Sequence, residues 1–181
     1  QFKVEGLIPN FFVSSGSPSR LRRQTSQVAK KLVSSPSLNK IRLGNIMARV
    51  RMIILFDLAK QLKAMVCGTE NKSEKLLGYF TRFGDAASDI EPISHLYKTQ
   101  IRQLADYLKV SEEIINQSPT AGLWDGQTDE DDFGFTYEEA DQVLYLLYKR
   151  GQDIDKVKKD FPNAEKIIKR FFDNQFKQKT P

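Results

Sequence analysis

From Val50 to Ala59 the sequence is apolar on nearly every face of a helix, and such a helix has to be covered all round. That requirement rules out an open or extended chain. The pattern predicts a helix over Asn45–Leu62, with Asn45 as N-cap after Gly44, buried by the rest of the chain and in part by a second subunit. Arg49 and Arg51 then fall one turn inside its amino end, where cations oppose the macrodipole by ~0.3–1 kcal/mol each. An anionic ligand or a salt bridge to an acidic loop would compensate, and both readings stay open. A chain of 181 residues supplies one domain, able to bury ~70% of its unfolded surface.

Further along, Ala64–Cys67 reads as a short buried strand with Gly68 and Thr69 in the loop at its carboxyl end, and Ile90–Ile93 as a second strand. Phe2–Ser19 holds a possible strand and a Ser/Gly/Pro loop, and Gln24–Leu32 a short helix. Asn71 and Glu74 have capping-box spacing, as do Thr136 and Glu139, which open a helix through Leu147. Leu96–Leu108 is helical, Ser111 caps a short helix, and Pro162 suits the first turn of the last one. Strands alternating with helices predict an α/β fold: a mostly parallel sheet flanked by helices, with a helical C-terminal end. No internal repeat is present.

Composition narrows the function classes. The net charge of +5 favours anionic partners, but Lys156–Lys179 interleaves lysines with Ile167, Ile168, Phe171 and Phe172 at helical spacing. Solvated lysines on an amphipathic helix explain that better than a nucleic-acid surface. A single cysteine, Cys67, excludes an internal disulfide and a thiolate zinc cluster. The longest apolar run, Met52–Leu58, is too short for a bilayer and carries Asp57. No signal peptide is visible, so a cytoplasmic protein is expected, with no nucleic-acid or membrane partner. His95, the only histidine, has no Ser or Cys partner for a triad. Asp129–Gly134 fails as a Ca²⁺ loop, because Phe133 and Ala140 stand where ligands belong. Neither G-x-G-x-x-G nor a Walker sequence occurs.

Candidate chemistry concentrates in a few loops. Pro119–Glu130 is polar and conformationally awkward, and a segment that costs this much entropy to order is a ligand loop. Thr69 lies at a strand's carboxyl end, where open α/β sheets bind ligands; a turn or cap threonine is the alternative. Glu74 is either a capping-box residue or a Mg²⁺ ligand beside phosphates. Asp85 and Asp89, near Arg82, are either solvated loop acids or orienting groups for a polar substrate. Lys98, near a helix start, is either an exposed lysine or a point charge for phosphates.

Taken in order, these motifs resemble the NAD synthetase family. The match runs from Gly44-Asn45-Ile46-Met47-Ala48-Arg49-Val50-Arg51-Met52 through Gly68-Thr69-Glu70-Asn71-Lys72-Ser73-Glu74 to Leu77–Asp85, then Pro92, Leu96 and Lys98. Ser118-Pro119-Thr120-Ala121, Gln127–Glu130, Gly134 and Tyr137 complete it, so that it covers Leu43–Asp141; Phe176-Lys177 and Pro181 are similar to the family's tail. The resemblance implies an ATP pyrophosphatase-like α/β fold, a homodimer, and ATP-dependent amidation of deamido-NAD by ammonia through an adenylated intermediate. By position it implies ATP contacts from Thr69, Lys98 and Thr120, and a Mg²⁺ ligand in Glu74. It implies deamido-NAD contacts from Arg49, Arg82, Asp89, Phe176 and Lys177, and in Asp85 an acid that orients ammonia, with Lys98 and Asp85 as the catalytic pair. Arg82 stands where many members carry lysine, and Phe176 where some carry histidine.

One departure stands out. The family's Ser-Gly-Gly-x-Asp-Ser pyrophosphate loop is missing, and Ser14-Ser15-Gly16-Ser17 is no substitute. Residues 1–181 therefore read as a single NAD synthetase-like domain without its N-terminal phosphate-loop part, with 1–42 either truncated or joined across missing segments. A chain lacking that cradle is expected to be inactive or nearly so. The synthetase domain of a glutamine-dependent enzyme and a non-catalytic nucleotide-binding relative are the competing readings.

Overall fold

The computed structural model describes residues 40–179. The strand and loop expected over Phe2–Ser19 and the helix over Gln24–Leu32 lie outside them. The described residues form two compact units, one of 40–70, 80–92 and 123–125, the other of 71–79, 93–122 and 126–179.

The first unit is built on helix α1, Lys40–Leu62. It starts earlier than the sequence suggests, so Asn45 is not its N-cap; the Asn45 side chain instead accepts the Thr81 hydroxyl at 2.7 Å. Gly44, which looks like a start signal, lies inside the helix because a Cβ there would come within 2.9 Å of Leu123 Cδ1. Among the described residues the helix is not buried on every face. Met47, Ala48, Leu55 and Ala59 are buried, whereas Ile53 is 62% exposed.

Among the described residues the expected sheet reduces to one parallel pairing, Cys67 with Ile90. Ile90 N–H donates to Val66 O at 3.2 Å and Gly68 N–H to Ile90 O at 2.7 Å. The next rung would need a donor from Pro92, which has none. At the other end the Val66 N–H is taken by Asp89 Oδ2 at 2.7 Å. Both ends of the ladder are thus closed by side-chain chemistry.

The second unit is helical. It holds α2 (Lys72–Leu77), α3 (Lys98–Tyr107), α4 (Glu112–Ile115), α5 (Asp129–Phe133), α6 (Tyr137–Leu144), α7 (Ile154–Asp160) and α8 (Ala164–Asn174). A π turn, Tyr145–Lys149, continues α6, and a 3₁₀ turn, Gln175–Gln178, follows α8. Ala164, Ile167, Ile168 and Phe171 bury one stripe of α8 against Leu77, Tyr137, Val143, Leu144 and Val157. Each large aliphatic side chain buried there contributes about 1.5–3 kcal/mol.

Side-chain caps open α2, α5, α6 and α7, whereas α3, α4 and α8 begin without one, and Pro162 lies before α8, whose N-cap is Asn163. Ser111 precedes α4 but makes no side-chain cap bond. Thr136 Oγ1 accepts Glu139 N–H, but the Glu139 carboxylate turns to Asn163, accepting its N–H at 2.7 Å and its side-chain amide at 2.8 Å. That acid therefore joins α6 to the start of α8 and leaves the box half made. The Asn71–Glu74 box is complete. Helix α2 ends at Gly78 in the left-handed region (φ 64°). A Cβ there would lie 2.2 Å from Asn174 Cβ, so only glycine lets α2 and α8 approach this closely.

Candidate functional site

The densest chemistry lies in the second unit, around Glu74. The capping box fixes this residue at the third position of α2: Asn71 Oδ1 accepts Glu74 N–H at 3.0 Å, and Glu74 Oε2 accepts Asn71 N–H at 3.1 Å. The other oxygen, Oε1, accepts Lys98 Nζ at 3.2 Å. Glu74 thus caps its helix with one oxygen and meets Lys98 with the other, so the two readings of this residue are compatible. Lys98 is the first residue of α3, and its backbone N–H donates to Ser73 Oγ at 2.8 Å.

Above this pair stands a second acid. Lys98 Nζ lies 5.2 Å from the centre of the Tyr137 ring, a cation–π distance. The Tyr137 hydroxyl donates to Asp129 Oδ2 at 2.9 Å. Asp129 is 3% exposed, and its Oδ1 is buried with no hydrogen-bond partner. Burial raises the Glu74 carboxyl above its ordinary value, opposed by Lys98 and the Asn71 N–H and reinforced by Asp129. The Asp129 carboxyl is likewise raised by burial, against the Tyr137 hydroxyl and Lys98. One ammonium among two desolvated carboxylates can neutralise phosphate oxygens, while the carboxylates suit a hard cation.

The Thr120 loop belongs to the same unit. Thr120 Oγ1 accepts Gly122 N–H at 3.0 Å, with Gly122 at φ 58°. Asp129 N–H donates to Pro119 O at 2.9 Å and closes the loop, while the buried Gln127 donates to Asp132 Oδ2 at 2.9 Å. Beside it opens a polar cavity of about 380 Å³ whose walls include Arg102, Gln117, Ser118, Thr128, Glu130 and Asp131. At the tail, Phe176 is exposed and Lys177 Nζ donates to Gly78 O at 2.7 Å.

Arg49, Thr69, Arg82, Asp85 and Asp89 sit in the first unit. Arg49 and Arg51 lie well inside α1 rather than in its first turn, because the helix starts at Lys40, and the macrodipole argument for an anion there lapses. Arg49 Nε donates to Arg82 O at 3.3 Å. Asp85 Oδ1 accepts Thr81 N–H at 2.9 Å, and Asp89 holds Val66 as described above. Thr69 is half-buried just beyond the Cys67–Ile90 pairing.

Sequence reasoning passed over Ser73 and Asp141, and gave Asp129 and Tyr137 no individual role. Asp141 leaves a legible trace. It shares the buried stripe of α6 with Tyr137, Ala140, Val143 and Leu144, and an acid on an apolar stripe signals a polar contact inside.

Residues 19–181 match the family model described as NAD synthase. The chain belongs to the NAD synthase family. It is 46% identical over 144 residues to the NH(3)-dependent NAD(+) synthetase of Fusobacterium nucleatum, a match spanning 78% of this chain and 56% of the relative. The chain spans about half the length of the curated relatives it matches. Among solved structures, the NMN synthetase from Francisella tularensis superposes with a TM-score of 0.70 at 34% identity, over 88% of this chain and 62% of that one. The NH3-dependent NAD synthetase from Campylobacter jejuni gives 0.63 at 32% identity, over 88% and 61%. The fold is therefore that of the NAD synthetase structures.

Proposed function

We propose that this chain carries the synthetase machinery of an ammonia-dependent NAD synthetase, a ligase that forms a carbon–nitrogen bond. The nicotinate carboxylate of deamido-NAD attacks the α-phosphorus of ATP, expelling pyrophosphate and forming a mixed anhydride with AMP. Ammonia then attacks the activated carbonyl and expels AMP, leaving the amide of NAD. The observation that carries this reading is the Lys98–Glu74 pair at 3.2 Å, set on two helix starts inside a family whose curated members bear that activity.

Lys98 neutralises charge on the departing phosphates, and Thr69 and Thr120 offer hydroxyls to the nucleotide. Mg²⁺ fits the donor set: Glu74 Oε1 keeps lone pairs beyond the one that meets Lys98, and the Asp129 carboxylate has a buried oxygen without a partner. Glu74 would hold the cation, which supplies charge neutralisation at the phosphates when bound. Arg49, Arg82, Asp89, Phe176 and Lys177 serve deamido-NAD, and Asp85 orients ammonia. The parallel Cys67–Ile90 pairing supports a mostly parallel sheet within one synthetase domain over residues 1–181. Exposed Ile41, Ile53 and Leu62 on α1 support a homodimer. No helix among the described residues is long and apolar enough to cross a membrane, in keeping with a cytoplasmic enzyme.

The test is NAD formation by the complete gene product, given ATP, Mg²⁺, deamido-NAD and ammonium, with glutamine as the rival nitrogen source. The mononucleotide counterpart of deamido-NAD is offered in parallel, since one structural relative is an NMN synthetase. NAD formed only with ammonium upholds the reading. No product with either nitrogen source, from folded protein, overturns it in favour of a non-catalytic relative.

A further inference from the structure

A buried carboxylate that no catalytic step uses ties together the two helices that carry Glu74 and Lys98. Asp141, 5% exposed on α6, accepts the Ser73 hydroxyl at Oδ1. Its Oδ2 accepts Thr99 N–H at 2.9 Å and Thr99 Oγ1 at 2.8 Å. The Ser73 hydroxyl, having given its proton to Asp141, accepts Lys98 N–H at 2.8 Å. Ser73 precedes Glu74 in α2, and Thr99 follows Lys98 in α3.

The start of α3 needs such help. Its N-cap residue is Tyr97, whose side chain makes no cap bond, so the first N–H groups of the helix have no local acceptor. Gln100 Oε1 accepts Tyr97 N–H at 2.9 Å, and the next two donors go to Ser73 and Asp141. An acid at this point also meets the positive end of the helix dipole, opposite in sense to the Lys98 side chain. The cap of α3 has thus been moved onto two other helices.

We propose that Asp141, through Ser73 and Thr99, is a positioning residue that sets Lys98 against Glu74 for phosphate chemistry. The inference rests on the role given to Lys98 under the proposed function. It requires that displacing the first turn of α3 harms the phosphate step and little else. Lys98 reaches its target on a flexible four-carbon stem, so its aim depends on where its backbone is pinned.

The test measures ATP-dependent pyrophosphate release by the complete gene product. Asp141→Ala is expected to lower kcat roughly 10- to 100-fold, the scale of a displaced catalytic group, with KM for deamido-NAD unchanged within about twofold. Asp141→Asn, which keeps an acceptor for Thr99, is expected to recover most of the loss. In a Lys98→Met background Asp141→Ala is expected to add less than about threefold, as coupled residues do. Ser73→Ala, which removes only the Lys98 N–H acceptor and the Asp141 donor, gives the same Lys98-dependent pattern and serves if Asp141→Ala does not fold. An equal fold-loss in both backgrounds, or no loss from either variant, overturns the inference alone. A Lys98→Met enzyme with unchanged kcat overturns the role given to Lys98 itself.

Discussion

Lys98 Nζ and Glu74 Oε1 stand 3.2 Å apart although the residues belong to different helices, and both side chains are mostly buried. Removing one partner leaves the other desolvated and unpaired, at a cost of about 3–5 kcal/mol. Lys98→Ala is therefore expected to lose pyrophosphate release by roughly 10²–10³-fold and to lower Tm. Glu74→Gln keeps the capping box with its one amide oxygen and turns its NH2 group toward Lys98. Its Tm should therefore fall, as for any loss of one partner of the pair, and its Mg²⁺ dependence should change. A Mg²⁺ dependence identical to wild type would remove the metal role from Glu74.

Gly78 has no room for a side chain. A Cβ would meet Asn174 Cβ at 2.2 Å, and φ at 64° is itself unfavourable for other residues. Gly78→Ala is expected to destabilise the fold by about 2–5 kcal/mol, the sum of left-handed strain and overpacking. Chemical denaturation reads this directly, and a loss under half a kilocalorie would contradict the packing described.

Asp89 has a structural task that precedes any substrate. Its Oδ2 is the acceptor for Val66 N–H, and Asp89→Ala leaves that donor stranded at a cost of about 1–3 kcal/mol. Asp89→Asn can keep the bond. If the carboxylate also binds deamido-NAD, the Asn variant melts like wild type but shows a raised KM for that substrate. Wild-type KM in Asp89→Asn would assign the residue to the fold alone.

Burial lifts the Asp141 carboxyl above its ordinary value, more than the hydrogen bonds from Ser73 and Thr99 lower it. The native state therefore binds a proton at a pH where the unfolded chain has released it, and stability falls as pH rises through that window. Glu74 and Asp129, also raised, act in the same direction. Without ligands, Tm should climb as pH drops from neutral into the mildly acid range. Asp141→Asn should make that slope shallower; an unchanged slope would show that Asp141 does not titrate there.

Local chemistry was the most legible part of this sequence. The Asn71–Glu74 box is formed as its spacing implies, because capping depends on residues three apart and on little else. The amphipathic stripe of Ile167, Ile168 and Phe171 is likewise realised in α8. Tertiary contacts decided the rest. Gly44 and Asn45 read as a helix start, but their roles come from Leu123 and Thr81, far along the chain. The strand around Cys67 stops after one pairing because Asp89 and Pro92 close it from a segment that periodicity does not connect to it. Asp141 is legible as an acid on a buried stripe but not as a link, since its partners Ser73 and Thr99 come from two other helices.

The end of α2 has a consequence for how the molecule is made. Lys177 caps the Gly78 carbonyl from 99 residues downstream, and Gln178 reaches the Lys75 carbonyl at 3.0 Å. At about 5–20 residues per second, the ribosome delivers those donors roughly 5–20 s after the helix bearing Glu74 has been synthesised. Throughout that interval the Gly78 carbonyl lacks its Lys177 donor, and the Lys75 carbonyl has only the Gly78 N–H at 3.2 Å. The acid at the centre of the site thus sits on a helix whose end is completed only when a segment 99 residues downstream has been made.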